Sequence, residues 1–317
     1  MKKYLGIDLG GTNIAVGLVD DNKKIIAKYS VPTGASRPFE AVVADMAGAA
    51  RELLRKKAVE ESEIEYVGIG APSTISPESN LLIFANNLGW KEVDLAGEFR
   101  KNWDISTLLA NDADCAALGE GIGGAASGYD NVLVVTLGTG LGGGIVMNKK
   151  LFLGGDGFGF EPGHSVLVHD GILCTCGNKG CLESYASVTA LVRQTIDRMI
   201  SCPESIMWKQ CGRDLNRVNG RTAFDAARKG DEAAKQVVEE YISYLATGLA
   251  NLITLFRPQA VVVGGGLSNE GDFLLEPLRK MASRRIYAPD QMTMPPILQA
   301  KLGNDAGIIG AALLGLE

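Results

Sequence analysis

Residues 131–147 read Asn-Val-Leu-Val-Val-Thr-Leu-Gly-Thr-Gly-Leu-Gly-Gly-Gly-Ile-Val-Met. Two apolar runs flank five glycines in seven residues. This spacing predicts a strand over Asn131–Leu137, a glycine-rich turn over Gly138–Gly144 and a second strand over Ile145–Met147. Leu151-Phe152-Leu153 follows a polar tip as a third strand. The same plan stands near the start of the chain. Tyr4–Asp8 runs into Asp8-Leu9-Gly10-Gly11-Thr12, Ile14–Val19 follows, and Lys24–Ser30 comes after the polar tip Asp20-Asp21-Asn22.

The likeness continues outward. Phe39, Val42, Val43, Met46, Ala50, Leu53 and Leu54 recur at helical spacing, and Glu65–Gly70 then reads as a strand ending in glycine. In the second half a long helical pattern covers Asp231–Phe256, and Ala260–Val263 runs into Gly264-Gly265-Gly266. The order β, glycine turn, β, β, helix, β, glycine therefore occurs twice. First strands lie 128 residues apart (Ile7 and Val135) and later strands 194 apart (Ile69 and Val263), so the second copy carries 66 more residues. The surplus covers a Cys/His cluster and the helical stretch Ser184–Gly230, and substrate-specific function is expected there. Ser201–Gly220 is the least periodic stretch and reads as loop or short helices. We expect two domains, 1–118 and 119–303, with residues 304–317 forming a helix that joins the first.

A chain of 317 residues suits two domains, and 46% apolar with 21% charged residues is the balance of an ordinary globular protein. A net charge of -6 offers nucleic acid no general attraction. Backbone amides can still hold phosphates in an acidic protein. Asp8 interrupts the N-terminus too early for a signal peptide, and Ala260–Val263 and Ile308–Leu314 are too short to span a bilayer. A cytoplasmic protein with no membrane or nucleic-acid partner is expected. Thiols stay reduced there, so three of the six cysteines crowded into Cys174–Cys181 point to metal rather than disulfides.

Each glycine turn can aim backbone amides at an anion, because glycine accepts positive φ and lets a ligand approach closely. Thr12 adds a hydroxyl, and Asp8 is placed to hold a hydrated Mg²⁺ on phosphate oxygens. Neither turn is a Walker loop, since no Gly-Lys-Ser/Thr follows and no helix starts there. Neither joins a strand to a helix as a Rossmann turn does. Two glycine hairpins closing on one polyphosphate fit better.

The pattern Asp-x-Gly-Gly-Thr, Gly-Thr-Gly-x-Gly-Gly-Gly and Val-Val-Gly-Gly-Gly resembles the actin-like, hexokinase-type (ribonuclease-H-like) ATPase fold. More narrowly, it is similar to the ROK family of repressors, uncharacterised frames and sugar kinases. The resemblance covers essentially the whole chain. It implies a duplicated α/β fold of two domains around a cleft. It also implies that Asp8, Gly10, Gly11, Thr12, Asn13, Gly138, Thr139, Gly140, Gly142 and Gly143 serve ATP phosphates, with Gly264, Gly265 and Gly266 near the adenosine.

Leu108-Leu109-Ala110 ends a strand and Asn111-Asp112-Ala113-Asp114 opens an alanine-rich helix. From spacing alone, these side chains are helix caps or a general base for a sugar hydroxyl. The resemblance of "NDADCAALGE" to the family's Asn-Asp-Ala segment implies that Asp112 is the base and Asn111 a sugar ligand. Asp114 then reads as a first-turn helix charge.

Cys174-x-Cys176-x₄-Cys181 with a histidine supplies four ligands suited to tetrahedral Zn²⁺. Spacing cannot choose between His164 and His169. The similarity of "EPGH" and "CTCGNKGCLE" to family segments implies His164 as the ligand, closing a structural site. It also implies that Glu161, His164 and Glu183 contact the sugar. Losing the metal is then expected to weaken sugar binding more than ATP binding.

Asn13 stands where many members have lysine, and Ser73 follows Pro72 where kinase members carry glycine. "NNLGW" at Asn86–Trp90 looks like a glucokinase-type segment. An ATP-dependent glucokinase, dimeric or tetrameric, is the expected activity. The alternatives are a kinase for N-acetylglucosamine, N-acetylmannosamine, allose or fructose, polyphosphate as donor, or a sugar-responsive regulator without its DNA-binding domain.

Overall fold

The computed structural model describes residues 2–76, 79–85 and 88–316. Asn86 and Asn87, which open the Asn86–Trp90 segment, lie outside the described residues. The chain forms two compact units. The first is Met1–Val134, Gly143–Phe160 and Lys301–Glu317; the second is Val135–Gly142 and Glu161–Ala300.

In the first unit β1 (Lys3–Leu9), β2 (Asn13–Asp20) and β3 (Ile25–Pro32) run antiparallel. Helix α1 (Phe39–Lys57) buries Val42, Val43, Met46, Leu53 and Leu54. It ends where Ala58 turns left-handed at φ 51°. Arg55, Lys56 and Lys57 in its last turn complement the helix dipole. Strand β4 (Ile64–Ala71) pairs in parallel with β1. A small antiparallel sheet of β5 (Thr74–Ile75), β6 (Leu82–Ala85) and β7 (Trp90–Val93) comes next. Helix α2 (Leu95–Asn102), β8 (Thr107–Asn111), parallel to β4, and α3 (Asp112–Leu118) follow. The sheet order is β3-β2-β1-β4-β8. Leu5, Ile7, Ile14, Val16, Met46, Leu53 and Phe99 are fully or almost fully buried members of one core.

Strands β9 (Val132–Leu137), β10 (Leu141–Met147) and β11 (Lys150–Leu151) begin the second sheet. Helices α4 (Glu183–Ala186), α5 (Val188–Ser201), α6 (Met207–Gln210), α7 (Thr222–Arg228) and α8 (Glu232–Phe256) precede β12 (Ala260–Gly264). Helix α9 (Asp272–Ser283) leads to β13 (Ile297–Gln299), parallel to β12. The second sheet orders as β11-β10-β9-β12-β13, strand for strand the arrangement of the first. The duplication thus includes a fifth strand, β13, which the sequence reading did not assign. Three residues after Pro295-Pro296 carry too little pattern to reveal it.

The chain ends in α10 (Ala306–Leu313), packed on β1, β4 and α3. Gly6 and Gly68 make this possible. A Cβ at either would fall within 2 Å of a carbonyl oxygen of Ile308 or Ala311. Where this segment enters the first unit, the buried Glu120 of a π-helical turn (Gly119–Gly123) accepts hydrogen bonds from the backbone N–H of Lys301 (2.9 Å), Leu302 (2.7 Å) and Ala125 (2.8 Å). Three backbone donors on one carboxylate satisfy a group that would be costly to bury alone.

Candidate active site and metal knot

Strands β1, β4 and β8 are parallel, so their C-terminal ends share one sheet edge, the edge at which open α/β sheets place ligands. Asp8 pairs in register with Gly70, and Gly70 with Ala110. Asp8, the loop after β4 and Asn111-Asp112 therefore stand along one row. The first turn follows Asp8. Gly10 N–H donates to the Asn13 carbonyl at 2.9 Å, while Gly11, Thr12 and Asn13 are exposed. The turn is fastened by a residue the sequence reading missed. Buried Thr33, just past β3, donates its hydroxyl to the Gly10 carbonyl (2.6 Å) and its N–H to the Thr12 carbonyl (2.9 Å).

Asn111 is the N-cap of α3, its Oδ1 accepting from the N–H of Ala113 (2.7 Å) and Asp114 (3.3 Å). Its amide donates to the Ser73 carbonyl at 3.0 Å. Asp112 is thereby released from capping and takes the first helical position. Ala113 N–H, 2.8 Å from its Oδ1, fixes its rotamer. Burial, and then the neighbouring charge of Asp112, push the Asp8 carboxyl from 3.8 up to about 6. Burial pushes Asp112 up as well, against the N–H groups of Ala113 and Asp112 itself. Two neighbouring carboxylates whose partial burial disfavours charge can take up a proton or a cation. Asp114 is a first-turn acidic residue of α3, as expected, and it is buried. It is 5% exposed, and a Cβ at Gly144 or Gly159 would come within 3.2 Å of its oxygens.

In the second unit the glycine turn is shorter than the expected Gly138–Gly144. Gly138 N–H closes on the Gly140 carbonyl at 3.0 Å, and strand β10 resumes at Leu141. Gly142 and Gly143 lie in that strand, and neither Gly138 nor Gly140 has a positive φ. Close approach explains Gly140 instead: a Cβ there would stand 2.4 Å from Glu183 Oε2. Val188 N–H donates to the Gly138 carbonyl (2.9 Å) and Thr189 Oγ1 to the Thr139 carbonyl (2.7 Å). Gly265 in the third turn does need glycine, with φ +79° and a virtual Cβ 2.4 Å from the Leu137 carbonyl oxygen. That contact sets Gly264–Gly266 beside the base of the second turn.

The ligand atoms of His164, Cys174, Cys176 and Cys181 all lie within 4.8 Å of one another. Cys176 and Cys181 Sγ are 3.6 Å apart, as are Cys174 Sγ and His164 Nδ1. Two thiolates on tetrahedral zinc are about 3.8 Å apart, given Zn–S near 2.3 Å, so the donor set fits that ion. Gly177 and Gly180 adopt positive φ between the ligands. Burial opposes ionisation of Cys174, but hydrogen bonds from Cys176, His164 and Ser184 outweigh it and lower the thiol to about 6. Burial and the neighbouring thiols push Cys181 up to about 12. His169 stands apart, its side chain 95% exposed beside Asp170. Glu161 is exposed just before the Pro162–His164 turn, and Glu183 opens α4.

The structure thus brings Asp8, Gly10–Asn13, Asn111 and Asp112 together in one unit. In the other it joins Gly138–Gly140, the Cys/His knot, Glu183 and Gly264–Gly266. Thr33, Glu120 and the burial of Asp114 were not read from sequence, because their partners lie far along the chain.

The chain has full-length relatives among known proteins. The chain is 38% identical to a glucokinase from Streptomyces coelicolor, covering 99% of this chain and 97% of that protein. It is 37% identical to a glucokinase from Thermotoga maritima, covering 98% and 96%. The crystal structure of a ROK family glucokinase from Streptomyces griseus in complex with glucose and AMPPNP superposes with a TM-score of 0.82 at 36% identity, covering 98% of each chain. Residues 4–317 match the ROK family as a whole, and the protein is a member of that family with its actin-like, hexokinase-type fold.

Proposed function

We propose that the protein is an ATP-dependent kinase that converts glucose to glucose 6-phosphate, with Asp112 as general base. The observation that carries this reading is the Asp8–Asp112 pair at one sheet edge, both carboxyls raised by burial. A carboxylate whose affinity for a proton is raised by burial takes a hydroxyl proton more readily than a fully solvated one does. Full-length similarity to glucokinases supports the choice of glucose and ATP.

In this reading Asn111, Glu161, His164 and Glu183 would serve the sugar, the carboxylates accepting from its hydroxyls and a zinc-bound His164 donating through its other ring N–H, which discriminates among hydroxyl patterns. Asp112, held by Ala113 N–H, accepts the proton of the attacking hydroxyl. The exposed residues Gly11–Asn13 and Thr139, in turns closed by the N–H groups of Gly10 and Gly138, would serve the phosphates, and Gly264–Gly266 the nucleoside. Asp8 would hold Mg²⁺ through water, where the ion neutralises phosphate charge. His164, Cys174, Cys176 and Cys181 would hold a structural Zn²⁺. With four protein ligands that ion only fixes the loops. A cytoplasmic location, where thiols stay reduced, fits the metal reading of the Cys/His knot.

A coupled assay with ATP over glucose, N-acetylglucosamine, N-acetylmannosamine, allose and fructose tests the proposal. Glucose is expected to give the highest kcat/KM, and ATP to outperform polyphosphate. A panel without turnover contradicts the kinase reading, and a better hexose contradicts the substrate.

A further inference from the structure

Leu141, the first residue after the second glycine turn, is gripped from two sides by the segments that carry the metal ligands. Glu183, two residues after Cys181, accepts a hydrogen bond from Leu141 N–H through Oε2 at 2.9 Å. Its Oε1 accepts from Thr175 Oγ1 at 3.4 Å, inside the Cys174–Cys176 loop, and lies 3.9 Å from Cys174 Sγ. On the other side, a Cβ at Gly163 would come 2.1 Å from the Leu141 carbonyl oxygen, so the backbone before His164 presses on the following peptide of the same residue. Leu182 N–H donates to the Ser165 carbonyl at 2.9 Å, tying the two ligand-bearing segments together. The helix behind them is anchored too, since the buried phenol of Tyr241 in α8 donates to the Ala186 carbonyl at 2.7 Å.

We infer that the Cys/His knot and the second glycine turn form one mechanical unit, in which Glu183 is a positioning residue that transmits metal occupancy to nucleotide affinity. A carboxylate offers several acceptor directions, so holding Leu141 leaves Glu183 room for a sugar hydroxyl. The inference rests on the proposed phosphate role of Gly138–Gly140. Its consequence departs from the expectation drawn from sequence. Loss of the metal slackens both segments around Leu141 and weakens nucleotide binding directly, not sugar binding alone. Linkage makes the effect reciprocal, so bound nucleotide raises zinc affinity by the same factor.

The test measures AMPPNP affinity by calorimetry without sugar, on zinc-loaded and chelated protein, with far-UV circular dichroism confirming the fold and elemental analysis the zinc content. In the wild-type protein chelation is expected to raise the AMPPNP Kd roughly tenfold, comparable to one lost hydrogen bond. In Glu183→Ala the zinc-loaded protein should already bind about tenfold more weakly at full zinc stoichiometry, with chelation adding less than about twofold. Glu183→Gln, whose amide oxygen can accept from Leu141 N–H, should recover most of the affinity. An unchanged Kd in zinc-loaded Glu183→Ala, or equal chelation effects in wild type and Glu183→Ala, overturns the inference. Should chelation unfold the protein, the zinc-loaded variants decide alone. Wild-type protein that binds no AMPPNP at all refutes instead the nucleotide reading on which the inference stands.

Discussion

The two glycine turns occupy matching places in the duplicated sheets, yet they are held in different ways. The first is fastened from within its own sheet, by the neutral hydroxyl and N–H of Thr33 at the end of β3. The second is fastened from the segment that the second copy carries in surplus, through Glu183, Val188 and Thr189. Duplication reproduced the bend, and the inserted segment then took control of one copy. Perturbing the metal knot should therefore reach the second turn and leave the first alone.

The largest expected effect lies where the copies differ outright. The position matching Gly265 in the first copy is Ala71, but Gly265 has φ +79° and its virtual Cβ meets Leu137 backbone. Gly265→Ala combines left-handed strain with a backbone clash and should cost about 3 kcal/mol of stability, read as a lowered urea midpoint at constant m. A midpoint unchanged from wild type would mean that the third turn is not pinned as described. Next comes a contrast inside one turn. Gly140→Ala drives a methyl group onto the Glu183 carboxylate, whereas a Cβ at Gly138 meets only the Gly140 carbonyl at 4.0 Å. The first substitution should weaken AMPPNP binding roughly tenfold and the second less than about twofold, since displacing Glu183 forfeits its bond to Leu141. Equal losses would erase the distinction.

Thr33→Val sharpens the comparison from the other side. It leaves the Gly10 carbonyl without its hydroxyl donor and should lower stability by about 1–2 kcal/mol, while zinc affinity, measured by chelator competition, stays unchanged. A smaller effect concerns pH. The folded-state pKa of Asp8 is raised to about 6, so its protonated form is favoured, and the stability that confers is lost as pH rises from about 4 through 6. Asp8→Asn should therefore raise the melting temperature of ligand-free protein at pH 7.5, with the gain vanishing near pH 4. Asp112→Asn should lower the Asp8 pKa by removing a like charge, as a carboxyl ¹³C titration would show. An unshifted titration would separate the two carboxylates.

How much of this was legible depended on the distance of the interaction along the chain. The β-turn-β repeats, helix α8 and the Cys/His spacing announce themselves within a few dozen residues, and the fold and family followed from them. Short strands such as β5, β6 and β13 did not, because two to four residues carry no usable period. Gly142 and Gly143 read as turn residues because glycine signals bends, yet they extend β10. Gly144 in the same strand shows why such a glycine is useful there: it makes room for Ala117 and Asp114. Gly6 and Gly68 likewise record the close approach of α10, some 300 and 240 residues further on, a reason no local pattern holds. In the candidate site, Asp112 and the metal ligands were legible from motif, while Thr33 and the strut from Glu183 to Leu141 required the folded chain.

The most direct test of the account follows the γ-phosphate itself. Single-turnover ³¹P NMR with ATP, Mg²⁺ and glucose should show transfer to glucose 6-phosphate by the wild-type enzyme. Asp112→Asn should bind both substrates with near wild-type affinity yet transfer roughly 10²–10⁴-fold more slowly, the usual contribution of a general base. Transfer by Asp112→Asn at the wild-type rate would contradict the assignment of the base and, with it, the reading of the sheet edge as the catalytic centre.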